Sequence, residues 1–165
     1  MKEFNEKNID FAKANNHLQI KMMAKPENEK LARNVVASFL LDLNPSVEEI
    51  SDIKTVISEA VTNCIVHGYN KGNGDITIDM ALVGNTLILK VIDQGVGIKD
   101  IKKAMQPFFT TRPEEERSGM GFTVMETFMD SVEVTSEEPH GTCVTMVKEI
   151  KSAECSLWVN FSCFR

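Results

Sequence analysis

The sequence predicts an α+β fold: a two-layer sandwich in which a mixed, mostly antiparallel sheet carries helices on one face. Three observations predict it. Alternating apolar and polar residues mark strands, and most of these strands come as adjacent pairs separated by short turns, which is how hairpins read. Two long stretches with apolar residues at three- and four-residue spacing mark helices that fall together, between the first strand and the second. The resulting order of strand, helix, helix, strand, strand, loop, helix, strand, strand segregates helices from hairpins. The chain has 165 residues, of which 42% are apolar and 25% charged, enough for one domain with a buried core.

Residues 1–16 are polar without a period and are expected to form a flexible leader. Residues 17–23 alternate, with Leu18, Ile20 and Met22 on one side and Gln19 and Lys21 on the other. This is a half-buried strand. Its place before the first helix makes it an edge strand that can pair with a second copy of the chain. Pro26 opens a helix to about residue 43, with Leu31, Val35, Phe39 and Leu43 as its stripe and Ala32, Val36 and Leu40 beside it. Arg33 lies off that stripe; it is a basic group offered as a partner contact, against the alternative of an ordinary solvated face. Ser46 and Glu49 have capping-box spacing. The helix they start runs to about residue 69, burying Ile50, Ile53, Ile57, Ala60, Val61 and Cys64. Glu59, Asn63 and His67 recur at four-residue steps as a polar row on its other side.

Residues 74–83 and 86–92 are strands joined around Gly84-Asn85. A glycine-rich segment follows, and then a helix over residues 121–129. Strands over 131–137 and 142–149 meet through Pro139-His140-Gly141. The folded domain is expected over residues 17–150. The tail, 151–165, is apolar and aromatic and receives no function.

The formal net charge is −6, which argues against sequence-independent nucleic-acid binding, since that needs a basic footprint. No apolar run reaches the length of a membrane span, and the N-terminus lacks the order of a signal peptide. A cytoplasmic protein is expected. The four cysteines include no CxxC pair, so reduced thiols are the expectation and zinc or redox sites are not.

Residues 93–122 concentrate the chemistry. Asp93 ends an apolar strand and precedes Gly95 and Gly97. A carboxylate there can accept a hydrogen bond from an exocyclic amine such as that of adenine, while glycines let the base approach the backbone. Gly119-Met120-Gly121-Phe122 opens a helix whose N–H groups suit phosphate oxygens. Asn63 offers a neutral oxygen to Mg²⁺ when nucleotide phosphates supply most of the charge. Glu59, one turn earlier, can take a proton from an attacking hydroxyl or water. Each feature alone has an ordinary reading: a tight turn, a glycine turn before a helix, a solvent-facing pair.

Together, in order, Glu59-Ala60-Val61-Thr62-Asn63, Asp93-Gln94-Gly95-Val96-Gly97 and Gly119-Met120-Gly121-Phe122 resemble the signature of the GHKL (Bergerat) ATP-binding superfamily. Walker-type and eukaryotic kinase motifs are absent. The stretches SEAVTNCIVHGY and QPFFTTRPEEERSGMGF narrow the resemblance to the anti-sigma F factor family of spore-forming bacteria, in the anti-sigma regulatory group, over about residues 17–150. The resemblance implies a homodimer that binds ATP and Mg²⁺. It also implies that the chain holds a sporulation sigma factor inactive and phosphorylates a serine of an anti-anti-sigma factor. Glu59 would be the general base and Asn63 the Mg²⁺ ligand. Asp93 would hold the adenine amine with help from Thr142. Gly95, Gly97, Gly119 and Gly121 would shape the pocket, with Met120 and Phe122 in the same motif. Thr110, Thr111, Arg117 and Ser118 would line a lid near the phosphates, and Arg117, ahead of Arg112, would stabilise charge during phosphoryl transfer.

Three other readings compete. A binding module that uses ATP only for shape has no need of Glu59. A conformational ATPase of the gyrase or Hsp90 kind normally couples this domain to others. A histidine-kinase catalytic domain needs an acceptor histidine on a dimerising helix, and His17, His67 and His140 are not placed for that.

Overall fold

The computed structural model describes residues 13–109 and 119–151. Thr110, Thr111, Arg112, Arg117 and Ser118 therefore lie outside the described residues, as do Cys155, Cys163 and most of both termini. A five-stranded sheet runs in the order β1-β2-β3-β5-β4, with β1 at Asn16–Met23, β2 at Asp75–Val83, β3 at Thr86–Asp93, β4 at Ser131–Glu137 and β5 at Gly141–Glu149. Every neighbouring pair is antiparallel, where a mixed sheet was expected. The reason lies in the crossover. β3 and β4 point the same way, but the tight turn after β4 sends β5 back between them, so no two parallel strands touch. β1 is an edge strand, as expected.

The helices α1 (Pro26–Phe39), α2 (Val47–Asn63) and α4 (Gly121–Phe128) pack on one face of the sheet. Ile53, Ile57, Ile76, Ile78, Met80, Leu87, Leu89, Met125 and Met146 are fully buried between the layers. A short helix, α3 (Ile101–Ala104), interrupts the glycine-rich segment with Asp100 as its cap; the sequence reading took this stretch as loop. No helix among the described residues is long and apolar enough to cross a membrane.

Two helices depart from the expected pattern. α1 stops at Phe39 and is followed by a 3₁₀ turn, Leu41–Leu43, ending at Asn44 in the left-handed conformation, which asparagine tolerates better than most residues. Its buried face is Ala32, Val36, Ala37 and Phe39, with Leu40 beyond. Leu31 is 52% exposed, so the row starting at Ala32, not the row starting at Leu31, sets the phase. α2 keeps α geometry only to Asn63. Cys64–Gly68 then form a wider π turn, closed by Tyr69 N–H donating to the Cys64 carbonyl (2.9 Å) and lying beside the site described below, where such bulges concentrate.

The capping box forms as read: Glu49 N–H donates to Ser46 Oγ (3.1 Å) and Ser46 N–H donates to Glu49 Oε2 (2.9 Å). The other Glu49 oxygen accepts Lys151 N–H (2.7 Å), which ties the end of β5 to the start of α2. Burial pushes the Glu49 carboxyl up, but the Ser46 and Lys151 N–H groups outweigh it, and the group sits below its ordinary value. Its contribution is therefore present above the unfolded-state value and lost as pH falls through the folded one. Ser46→Ala is expected to cost about 1 kcal/mol, read as a lower urea midpoint at unchanged slope.

Candidate functional site

A cavity of about 900 Å³ opens between α2, the π turn, the end of β3, α3 and the start of α4. It brings together most of the residues singled out in the sequence. Glu59, Asn63 and His67 line it from one side; Asp93, Gly97 and Thr142 line it from the sheet end; Gly119, Met120, Gly121 and Phe122 line it from the start of α4. Gly95 is buried just behind the wall. Arg33 is elsewhere, on α1. There its NH1 donates to Glu29 Oε1 (3.4 Å), the same oxygen that accepts the Ser58 hydroxyl of α2. Arg33 Nε is buried without a partner among the described residues, so this arginine is part of an α1–α2 network.

At the sheet end, Asp93 closes β3 opposite Thr142 of β5 and is only 4% exposed. Burial pushes its carboxyl up from the ordinary value; the Gly95 N–H, the Cys64 thiol and the Thr142 backbone oppose that as donors. The Gly95 bond is 2.8 Å. Gly95 is required by close approach: a Cβ there would collide with the Gly68 carbonyl, which accepts Val96 N–H (3.0 Å). The π turn thus forms the seat on which the Asp93–Gly97 loop rests. Cys64 is the residue sequence reading missed. It was assigned to the apolar arc of α2, yet it lines the cavity and meets Asp93. Burial first, and then the Asp93 charge, push its thiol well above the usual range, so it stays a protonated donor.

At the other end, Glu59 and Asn63 face the first residue of α4. A Cβ on Gly121 would lie 3.0 Å from Glu59 Oε2 and 3.3 Å from Asn63 Nδ2, so glycine lets both side chains approach the helix start closely. Met120 caps α4 with no side-chain hydrogen bond, so the capping side chain itself takes up none of the helix's first N–H groups. The arrangement joins a carboxylate, a neutral amide and an electropositive helix start. Lys99, Lys103 and Phe109 complete the rim, with Lys103 Nζ 5.3 Å from the Phe109 ring centre; Phe109 belongs to the QPFFTTRPEEERSGMGF stretch, while the two lysines had no role in the sequence reading. Phe108 N–H donates to the Gly119 carbonyl (3.0 Å), so the chain leaves for residues 110–118 and returns from them at one point on that rim.

The two ends differ in what they can bind. The Asp93 end is a nearly dry carboxylate fit for an amine-bearing ring. The α4 end is fit for anionic oxygens. No cluster of three or more His, Cys, Asp or Glu side chains among the described residues could hold a metal by itself.

Comparison with known proteins gives the family. Residues 22–148 match the model of the histidine kinase-like ATPase domain. The anti-sigma F factor of Thermoanaerobacter sp. (strain X514) is 57% identical over 137 residues, 83% of this chain and 96% of that protein. The anti-sigma F factor of Caldanaerobacter subterraneus subsp. tengcongensis is 56% identical over 136 residues, 82% of this chain and 95% of that protein. That of Clostridium acetobutylicum is 50% identical over 139 residues, 84% of this chain and 97% of that protein. Among solved structures, the RsbU and RsbW domains of Rv1364c from Mycobacterium tuberculosis share the fold, with a TM-score of 0.58 at 21% identity, over 82% of this chain and 32% of that longer one. The chain belongs to the anti-sigma F factors, within the histidine kinase-like ATPase family.

Proposed function

We propose that the chain is an ATP-dependent protein-serine kinase and anti-sigma factor: it sequesters a sporulation sigma factor and phosphorylates a serine of an anti-anti-sigma factor. It would act in the cytoplasm, as a homodimer joined in part through the β1 edge. The observation that carries the kinase reading is the pairing of Glu59 and Asn63 against the uncapped start of α4, across the cavity from the buried Asp93. One end recognises a base; the other holds phosphates beside a carboxylate that a non-catalytic binder would not need.

In this reading Asp93 accepts the exocyclic amine of adenine, with Thr142 beside it. The N–H groups at Gly121 and Phe122 receive phosphate oxygens. Asn63 would hold Mg²⁺; one amide oxygen, with no carboxylate cluster among the described residues, fits an ion bound mainly by phosphate oxygens, and the ion would neutralise charge on the transferring group. Glu59 takes the proton of the acceptor serine hydroxyl. Thr110, Thr111, Arg117 and Ser118 are proposed to cover the phosphates, Arg117 stabilising the charge that develops. Arg33 is proposed as a sigma-factor contact on α1.

The test is incubation with ATP labelled at the γ-phosphate and a purified anti-anti-sigma protein. Stable label on a serine of that protein is expected. Absence of transfer, with nucleotide binding retained, would leave an ATP-dependent binding module in its place. Capture of the sigma factor should be stronger with ATP than without, and equal capture under both conditions would separate the two activities.

A further inference from the structure

Tyr69 stands at a junction of three segments. It follows the π turn, its ring packs against the hydrophobic core, and its face lies across Gly74, where any Cβ would collide with it. The hydroxyl then makes two bonds to backbone atoms of other segments. It donates to the Asp75 carbonyl at the start of β2 (2.6 Å) and accepts Gln94 N–H (2.8 Å). Gln94 lies just past the last rung between β2 and β3, which is Ile76 opposite Asp93. Beyond that rung the sheet no longer orients the chain, and the tyrosine does. Burial pushes the phenol up from its ordinary value, so the hydroxyl keeps the proton it donates.

We propose that Tyr69 is a positioning residue for base recognition: its hydroxyl fixes the Gln94 backbone and so aims the neighbouring Asp93 carboxylate at the exocyclic amine of adenine. The ring anchors the device and the oxygen performs it. The carboxylate itself accepts Gly95 N–H, so the two residues that follow Asp93 each carry one tether, Gln94 to the tyrosine and Gly95 to the carboxylate. Loss of the hydroxyl frees the backbone that follows Asp93 and the Asp75 carbonyl at the start of β2, while the centre of the sheet and the phosphate end keep their own contacts. The inference rests on the adenine contact proposed for Asp93.

The test is Tyr69→Phe, which keeps the ring and its packing. Amide hydrogen exchange in the nucleotide-free protein is expected to accelerate at Gln94 and Val96 but not at Leu89 or Met146 in the sheet. Binding of ATP is expected to weaken about fivefold, the worth of one ordinary hydrogen bond. Binding of inosine triphosphate, which has no exocyclic amine, should change less than twofold, so the preference between the two nucleotides shrinks. A merely structural tyrosine would lower thermal stability and weaken both nucleotides alike, and that outcome overturns the proposal. Unchanged exchange at Gln94 overturns it too. Asp93→Asn in the otherwise unaltered protein keeps the two readings apart: if that variant binds ATP as tightly as before, the adenine contact is at fault, while the exchange at Gln94 still reports on the tether.

Discussion

Glu59→Ala is expected to lose phosphotransfer by about 100- to 10,000-fold, the usual worth of a positioned general base, and to bind ATP almost as before. The asymmetry follows from where the side chain sits. Glu59 lines the cavity at the α4 end, with Oε2 aimed at the space that Gly121 leaves empty. The end proposed to recognise the base is built around Asp93, with Gly95, Cys64 and Thr142 as its hydrogen-bond partners. Removing a group that acts only on the acceptor hydroxyl should lower the turnover rate without raising the nucleotide dissociation constant, a barrier increase of about 3–5 kcal/mol. Glu59→Gln, which keeps shape and length, is expected to be nearly as inactive. Single-turnover transfer with labelled ATP, alongside calorimetric titration of the nucleotide, measures both quantities. A glutamine variant with near-normal transfer would show that Glu59 shapes the pocket and does not move a proton.

How much of this was legible in the chain depends on distance along it. Ser46 and Glu49 are three residues apart, and their box formed as the spacing predicted. The two-residue turn at Gly84-Asn85 fixed the β2–β3 register because Val83 and Thr86 must then be opposite. The glycine motifs predicted which residues would share a cavity, since each motif binds backbone to something and glycine alone permits that approach. Contacts between distant segments were not legible. The insertion of β5 between β3 and β4 depends on which strand edge is free once α4 has packed, and no local pattern encodes that. Leu31 and Ala32 head equally regular rows, and only the sheet beneath chooses between them. Cys64 read as one more apolar position on α2, because its partner Asp93 lies on a strand whose placement the helix period does not contain. The π turn that puts Cys64 and Gly68 under the loop is a departure from the very periodicity used to find the helix.

Asp93→Asn is the sharpest test of the proposed base-recognition end, because it replaces one carboxylate oxygen by an NH₂ group and leaves the shape of the side chain unchanged. Asp93 Oδ1 already accepts Gly95 N–H. An asparagine can keep that bond with its single oxygen, but its NH₂ then faces the incoming adenine amine, donor against donor. The loss of a hydrogen bond to a charged group, about 1.5–3 kcal/mol, predicts ATP binding weaker by about 10- to 100-fold. Folding should respond differently. Burial raises the Asp93 carboxyl above its ordinary value of 3.8, so its contribution to stability is present below the unfolded-state value and lost as pH rises through the folded one. At neutral pH the buried charge is a cost that asparagine relieves, offsetting the weaker bonds to a neutral acceptor. The nucleotide-free variant should therefore unfold within about 1 kcal/mol of the parent. Wild-type affinity for ATP should also fall as pH drops, with a component whose midpoint lies above that of an exposed carboxylate, and the asparagine variant should lack that component while keeping the part that the nucleotide's own phosphates contribute. Titrating both proteins across that range, with chemical denaturation at each pH, separates binding from folding. Undiminished ATP affinity in the asparagine variant would move the adenine away from Asp93 and leave the glycine seat at Gly68 and Gly95 serving the backbone alone.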